Sequence, residues 1–227
     1  MKRHARTIST VLIAAGALLL ADAAATLLWQ EPVSALYGRL QQERLEDRLV
    51  ALERAPLAAV DRRALAALDP GRRLAFAARA LGRHSRAGDP LGRIRMPSIG
   101  ASRVFVEGTD AAALRTGPGH YPGTPLPGQR GTVAIAGHRT TYGAPFHDLD
   151  ELRRGERIEL AMPYGRFEYR VERTRIVPPT AIEVTDRVGF DRLVLSACHP
   201  LYSAAQRIVV FARQVRVAPS GAASTQG

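Results

Sequence analysis

The sequence predicts a mainly β domain, a small barrel or sandwich, set behind a helical N-terminal third. After Asp89-Pro90, short runs of β-type composition alternate with Gly/Pro turns: Gly92 to Met96, Arg103 to Glu107, Thr132 to Ala136, Arg157 to Met162, Arg166 to Val177, Arg192 to Ala197 and Arg207 to Val217. Seven or eight such strands form the pattern of a barrel or sandwich. Before that point the chain is rich in Ala, Leu, Arg and Glu, with leucines three to five residues apart, which is helical spacing. The 227 residues, less a membrane segment and a linker, leave room for one domain with a real core.

The first element is a membrane helix. Lys2, Arg3 and Arg6 precede an apolar stretch from Ile8 to Trp29, a length that crosses a hydrocarbon core of roughly 30 Å as a helix. Residues 1–7 then stay cytoplasmic, residues 8–29 form a retained signal-anchor, and the bulk of the protein faces outward, with Trp29 at the interface and Glu31 beyond it. The competing reading is a cleaved signal peptide. Asp22 is a charge that costs roughly 2.5–3.5 kcal/mol at the centre of a membrane helix, and Ala21-Asp22-Ala23 matches a small-residue cleavage site. The apolar run from Ala23 to Trp29 continues past that site and favours the anchor.

Residues 30–88 follow as an extracytoplasmic stalk. Leu36, Leu40, Leu45, Leu49 and Leu52 carry the helical spacing, while Pro56 and Asp69-Pro70-Gly71 interrupt it, so helices with breaks are expected, acting as an exposed spacer. The β domain occupies residues 89–217. Within it Asp110 to Arg115 and Phe146 to Leu152 read as short helices, and residues 218–227, small and polar, read as a disordered tail.

The formal charge of +11 is almost all arginine, since Lys2 is the only lysine. No zinc spacing, no basic block interleaved with aromatics and no recognition-helix signature accompanies it, which argues against nucleic acid as a partner. Attraction to anionic lipid or to an acidic cell wall fits the charge, and so does a simple compositional bias toward arginine.

Chemistry concentrates at two strand ends. Cys198 is the only cysteine and ends the run Leu193-Val194-Leu195-Ser196-Ala197-Cys198. It has no intramolecular disulfide partner, which leaves a buried apolar residue, an intermolecular linker or a reactive thiol. His138 opens the string Gly137-His138-Arg139-Thr140-Thr141-Tyr142-Gly143-Ala144-Pro145-Phe146 after another strand, and Gln206-Arg207 opens a third after a short return. Thiolate, imidazole and guanidinium make a coherent acyl-transfer set: nucleophile, proton carrier, and donor to the carbonyl or oxyanion. His120, His147 and His199 compete with His138 for the proton-transfer role.

These strings, with Gly117-Pro118-Gly119-His120-Tyr121-Pro122-Gly123-Thr124, resemble the sortases over roughly residues 89–217, and most closely the sortases called class E. The resemblance implies an eight-stranded β-barrel with short helices behind a helical anchor and stalk, and a membrane-anchored cysteine transpeptidase. His138 then matches the catalytic histidine, Cys198 the nucleophile and Arg207 the catalytic arginine. His120, Tyr121 and Ala197 are the further candidates for substrate contact. The family's Thr-Leu-X-Thr-Cys motif is here Val194-Leu195-Ser196-Ala197-Cys198, so both threonines are replaced, and slower turnover or an altered preference is expected. The implied substrate is a secreted protein with a C-terminal Leu-Ala-X-Thr-Gly or Leu-Pro-X-Thr-Gly signal, cut between Thr and Gly through a thioester. The acceptor is an amine of a peptidoglycan precursor or a pilin. No cofactor is required and no metal site is expected.

Asp89-Pro90 resembles the lid anchor of pilin-polymerising sortases but lacks the aromatic that follows there, and reads as an ordinary turn into the first strand. Among rivals, an L,D-transpeptidase would carry Ser-His-Gly-Cys, and a papain-like hydrolase would place its cysteine before its histidine. A membrane-anchored interaction domain with an inert Cys198 is the non-enzymatic alternative.

Overall fold

The computed structural model describes residues 2–28, 32–54 and 68–220. The interfacial position of Trp29, the break at Pro56 and residues 221–227 of the tail lie outside the described residues. Eight strands close into a barrel in the order β1-β2-β3-β4-β7-β8-β6-β5. They are β1 (Pro90–Met96), β2 (Ala101–Glu107), β3 (Gly119–His120), β4 (Thr132–Ala136), β5 (Arg157–Met162), β6 (Gly165–Val177), β7 (Arg192–His199) and β8 (Gln206–Pro219). The seven runs read from composition are all present. The eighth strand, β3, is two residues long, too short for any periodicity, and exists because it pairs parallel to β2 and antiparallel to β4.

Strand alternation builds two apolar faces. The inward set, including Ile94, Phe105, Ile135, Leu160, Phe167, Leu195, Ala197 and Val210, fills the barrel. The outward set over β4, β6, β7 and β8 is smaller, comprising Ala134, Val177, Val194, Val209 and Phe211. Because both faces are covered, β7 reads as a continuous apolar run.

Among the described residues four α-helices accompany the barrel: α1 (Lys2–Leu28), α2 (Pro32–Arg54), α3 (Pro70–His84) and α4 (Ala111–Thr116). Within α1, Arg6–Ala24 is long and apolar enough to cross a membrane, with mean hydropathy 1.8. Asp110 caps α4 by accepting from the Ala112 and Ala113 N–H groups at 2.8 and 3.0 Å. Asp69 caps α3 in the same way, accepting from the Arg72 N–H, and Pro70 suits the first turn. The expected helix over Phe146 to Leu152 shrinks to a single 3-10 turn, Leu149–Glu151.

The stalk is where the structure departs most from the sequence reading. Residues expected to stand clear as a spacer instead dock on the barrel. Leu45 and Leu49 of α2 are buried with Val104, Val106 and Ala113, and Leu74 and Ala78 of α3 join the barrel's own core. The Gln42 side-chain amide donates to the Val104 and Thr116 carbonyls at 3.0 and 2.9 Å, while its oxygen accepts from the Val104 N–H at 2.8 Å. Arg93 on β1 is gripped by Glu46 and Glu53, which hold its guanidinium pKa above the usual range. The physical reason lies in helix geometry. At about 100° per residue, Leu36 and Leu40 point roughly opposite to Leu45 and Leu49, so the leucines form no single stripe that could have marked a buried face.

A Leu49→Ala variant should lose about 2–5 kcal/mol of unfolding free energy, as expected for a fully buried leucine. Leu36→Ala, at an exposed position, should stay within about 0.5 kcal/mol of the parent. Denaturant unfolding of the two variants checks this.

Candidate active site

Register brings the three predicted residues together. β4 runs parallel to β7 with Ala136 opposite Ser196, and the Gly137 N–H donates to the Ser196 carbonyl at 3.0 Å. Cys198 lies two residues further along β7, and His138 two residues past Ala136 in the loop that leaves β4. On the other side of β7, antiparallel β8 sets Arg207 directly opposite Cys198. Period-two alternation decides the face. Leu195, Ala197, Ile208 and Val210 point inward, so Ser196, Cys198 and Arg207 share the outer face with Val194 and Val209. Cys198 is half-buried.

The loop after β4 is held from below. The Phe146 ring packs on the Gly137 backbone so closely that a Cβ there would sit 2.6 Å from a ring carbon, and the Phe146 N–H donates to the His138 carbonyl at 3.0 Å. This is why Gly precedes the histidine. Arg139, almost fully buried, turns the other way. Its guanidinium donates to the His147 carbonyl at 3.1 and 3.0 Å, pairs with Asp150 at 2.8 Å and reaches His199 Nδ1 at 3.4 Å. It thereby ties the loop after β4 to the residue after Cys198.

His138 is buried enough that its imidazole pKa falls below the ordinary value, and the nearby positive charge of Arg115 on α4 lowers it further. The Tyr142 ring lies against it, with centroids 5.2 Å apart. The Arg207 guanidinium bonds through Nη1 to the Ala204 and Gln206 carbonyls at 3.0 and 2.9 Å, which braces it on the β7–β8 loop.

The competing histidines serve elsewhere. His120 is buried, paired with Glu107 at 2.8 Å through Nδ1 and bonded through Nε2 to Thr124 Oγ1 at 2.9 Å. That makes it a core tie between β2, β3 and the following turn. His147 Nδ1 bonds the Arg139 carbonyl at 2.7 Å, and His199 Nδ1 faces Arg139.

Ala197 lies in the barrel interior, turned away from the thiol's face. Tyr121 packs at the edge of the outer apolar set, its hydroxyl 3.5 Å from Ser196 Oγ. Two-residue alternation from Cys198 selects Ser196 over Ala197 for the thiol's face. Tyr142 and Arg115 gave no such signal, because their roles depend on a loop and a helix meeting across the fold.

On the outer side of the wall beyond the thiol, Ala134, Val194, Val209 and Phe211 are buried under Tyr121 and under Ala181 and Val184 of the β6–β7 connection. A thiol, an imidazole and a guanidinium gathered at one end of the barrel wall are the groups that cysteine acyl transfer requires.

Comparison with known proteins agrees with that class. The Sortase domain family model matches residues 94–215, and the chain belongs to the sortase family. Sortase D of Bacillus subtilis (strain 168) is 33% identical over 133 residues, 56% of this chain and 65% of that protein. Among solved structures, sortase E from Streptomyces avermitilis superposes with a TM-score of 0.54 at 33% identity, over 59% of this chain and 93% of that one. The SrtF sortase from Corynebacterium diphtheriae gives 0.57 at 26% identity, over 63% and 93%. The chain spans 65% or less of the length of the curated relatives it matches.

The His138 imidazole should titrate below the usual 6.5. Arg115→Gln removes a positive charge that disfavours the imidazolium, so the midpoint should rise. A ring-proton NMR titration of the two proteins reads both; a midpoint that falls in Arg115→Gln would contradict the electrostatic account.

Proposed function

We propose that this protein is a membrane-anchored cysteine transpeptidase of the class E type, with Cys198 as nucleophile, His138 as proton carrier and Arg207 as donor to the developing oxyanion. The observation that carries the reading is the register, which sets Cys198 opposite Arg207 and starts the loop bearing His138 from the end of β4 beside β7. The identity to sortase E from Streptomyces avermitilis supports the class.

In this mechanism an extended sorting signal approaches the outer face of β7 and β8 that carries Cys198 and Arg207. The Cys198 thiol passes its proton to His138 as the sulfur attacks the threonine carbonyl carbon, forming the C–S bond and moving the π electrons onto oxygen. Arg207, braced through Nη1, stabilises that oxyanion with its remaining N–H groups. Collapse breaks the C–N bond, and His138 protonates the departing glycine amine. An incoming amine then attacks the thioester, gives its proton to His138 and expels the Cys198 thiolate. The depressed pKa of His138 suits this cycle, because the ring returns readily to the neutral form that accepts the acceptor's proton.

Tyr121 and Ser196 flank the thiol's face and are the residues best placed to discriminate the signal's second position, for which alanine is the class E expectation. Val194 and Ala197 stand where the family motif carries threonines. Ala197 faces the core, so its effect on substrate is indirect. The helix α1, with Lys2, Arg3 and Arg6 ahead of the apolar span, supports a single-pass anchor with the barrel outside the cell. The partners are secreted proteins with a C-terminal signal and an amine from a peptidoglycan precursor or a pilin.

The test uses the full chain in detergent micelles with Leu-Ala-X-Thr-Gly and Leu-Pro-X-Thr-Gly peptides, read by intact mass. A Cys198 acyl adduct that an added amine resolves is expected. Cys198→Ala should abolish it, and His138→Ala and Arg207→Ala should each lower turnover by about a hundredfold or more. A folded protein with an accessible thiol and no adduct from either peptide would overturn the reading.

A further inference from the structure

One face of α2 carries a regular stripe whose upper half meets the active-site loop. Ser34, Gly38, Gln42, Leu45 and Leu49 recur at spacings of four, four, three and four residues, which places them on one side of a helix. Gln42, Leu45 and Leu49 clamp the barrel wall as described above. Ser34 and Gly38 instead meet the loop that follows His138. The Tyr142 N–H donates to Ser34 Oγ at 3.2 Å. The Gly38 Cα approaches the Tyr142 and Gly143 backbone so closely that a Cβ there would lie 2.7 Å from the Tyr142 carbonyl carbon and oxygen and 2.9 Å from the Gly143 nitrogen.

Glycine inside a helix is normally a weakness, so its position at this contact calls for a reason, and the close approach supplies one. The loop it touches is strained. Tyr142, Gly143 and Ala144 have φ of 52°, 73° and 39°, three consecutive residues in the left-handed region, of which only the glycine is at ease there. Such a conformation persists only where its surroundings hold it. Here those surroundings are the α2 backbone on one side and Phe146 packed under Gly137 on the other.

Tyr142 carries the contact to the chemistry. Its ring lies 5.2 Å from the His138 ring, the Tyr37 ring of α2 meets it edge-on at 6.1 Å, and the Arg115 guanidinium sits 6.0 Å from its centroid. The imidazole is therefore flanked by a side chain whose own backbone and ring are both fixed by α2.

We infer that α2 is a positioning element of the active site: through Gly38, Ser34 and Tyr37 it fixes Tyr142, and Tyr142 fixes the ring of His138. This rests on the reading of His138 as the proton carrier. It makes Tyr142 a positioning residue, and it assigns the helix that follows the membrane span a part in setting the rate rather than merely holding the barrel away from the bilayer.

The full chain in detergent micelles, labelled with ¹⁵N-histidine, tests the inference, with the His138 signals assigned by their loss in His138→Gln. Gly38→Ala should favour the helix but push the loop away. We expect the His138 ring resonances to move and kcat to fall by about tenfold to a hundredfold with KM within about twofold, the scale on which a displacement near 1 Å acts. Tyr142→Ala should do the same, and Tyr142→Phe, which keeps the ring, should restore both readouts.

Resonances and kcat unchanged in Gly38→Ala and Tyr142→Ala would overturn the inference, as would a fall in kcat with the His138 resonances unmoved. If the parent protein fails to turn over either sorting peptide, the catalytic reading fails. The resonance shifts then still decide whether α2 holds His138.

Discussion

Everything in this site depends on the parallel pairing of β4 with β7. A parallel pair cannot be closed by a tight hairpin and needs a long crossover, here the stretch containing β5 and β6. In return, both strands deliver their C-terminal residues to the same end of the barrel, which an antiparallel neighbour would not do. With Ala136 opposite Ser196, His138 and Cys198 leave the wall together, and the antiparallel turn into β8 adds Arg207 without a further register choice. A slip of one residue between β4 and β7 would send either the thiol or the imidazole into the core.

The same constraint explains the small residues around the site. Gly137 continues β4 on its inward side, where Phe146 occupies the space that a side chain would need. Ala197, on the inward side of β7, fills a dense interior whose neighbours include Ile135 and Ile208. A bulkier residue at either position would move the strand end that carries the reactive group. The packing of the barrel and the geometry of the chemistry are one problem here, because each functional side chain is the immediate neighbour of a core position.

Much of this was legible in the chain. The strand runs, the membrane-length helix and the motif strings around His138, Cys198 and Arg207 are local features, carried by period-two alternation, by an apolar stretch and by short identities. Two-residue alternation also held more information than was taken from it. It separates Ser196 from Ala197 without any structure, and it would have set the serine rather than the alanine beside the thiol. His120 was harder to place, since nothing in Gly119-His120-Tyr121 announces that Glu107 and Thr124 enclose its ring while Tyr121 turns outward. The stalk misled for a different reason. Its leucines wind around α2, and only docking against Val104, Val106 and Ala113 decides which of them are inside.

The sequence by itself therefore determined the kind of elements, their order and the membrane-length helix, because these follow from composition and from periodicities only a few residues long, and its motif strings named the three candidate groups. The tertiary structure decided which groups face one another: the β4–β7 register, the two-residue strand β3, the burial of α2 and α3 against the barrel, and the seat of Tyr142 between Gly38 and His138. Those depend on pairings between residues distant in the chain, where the free energy comes from surfaces that fit rather than from any local preference.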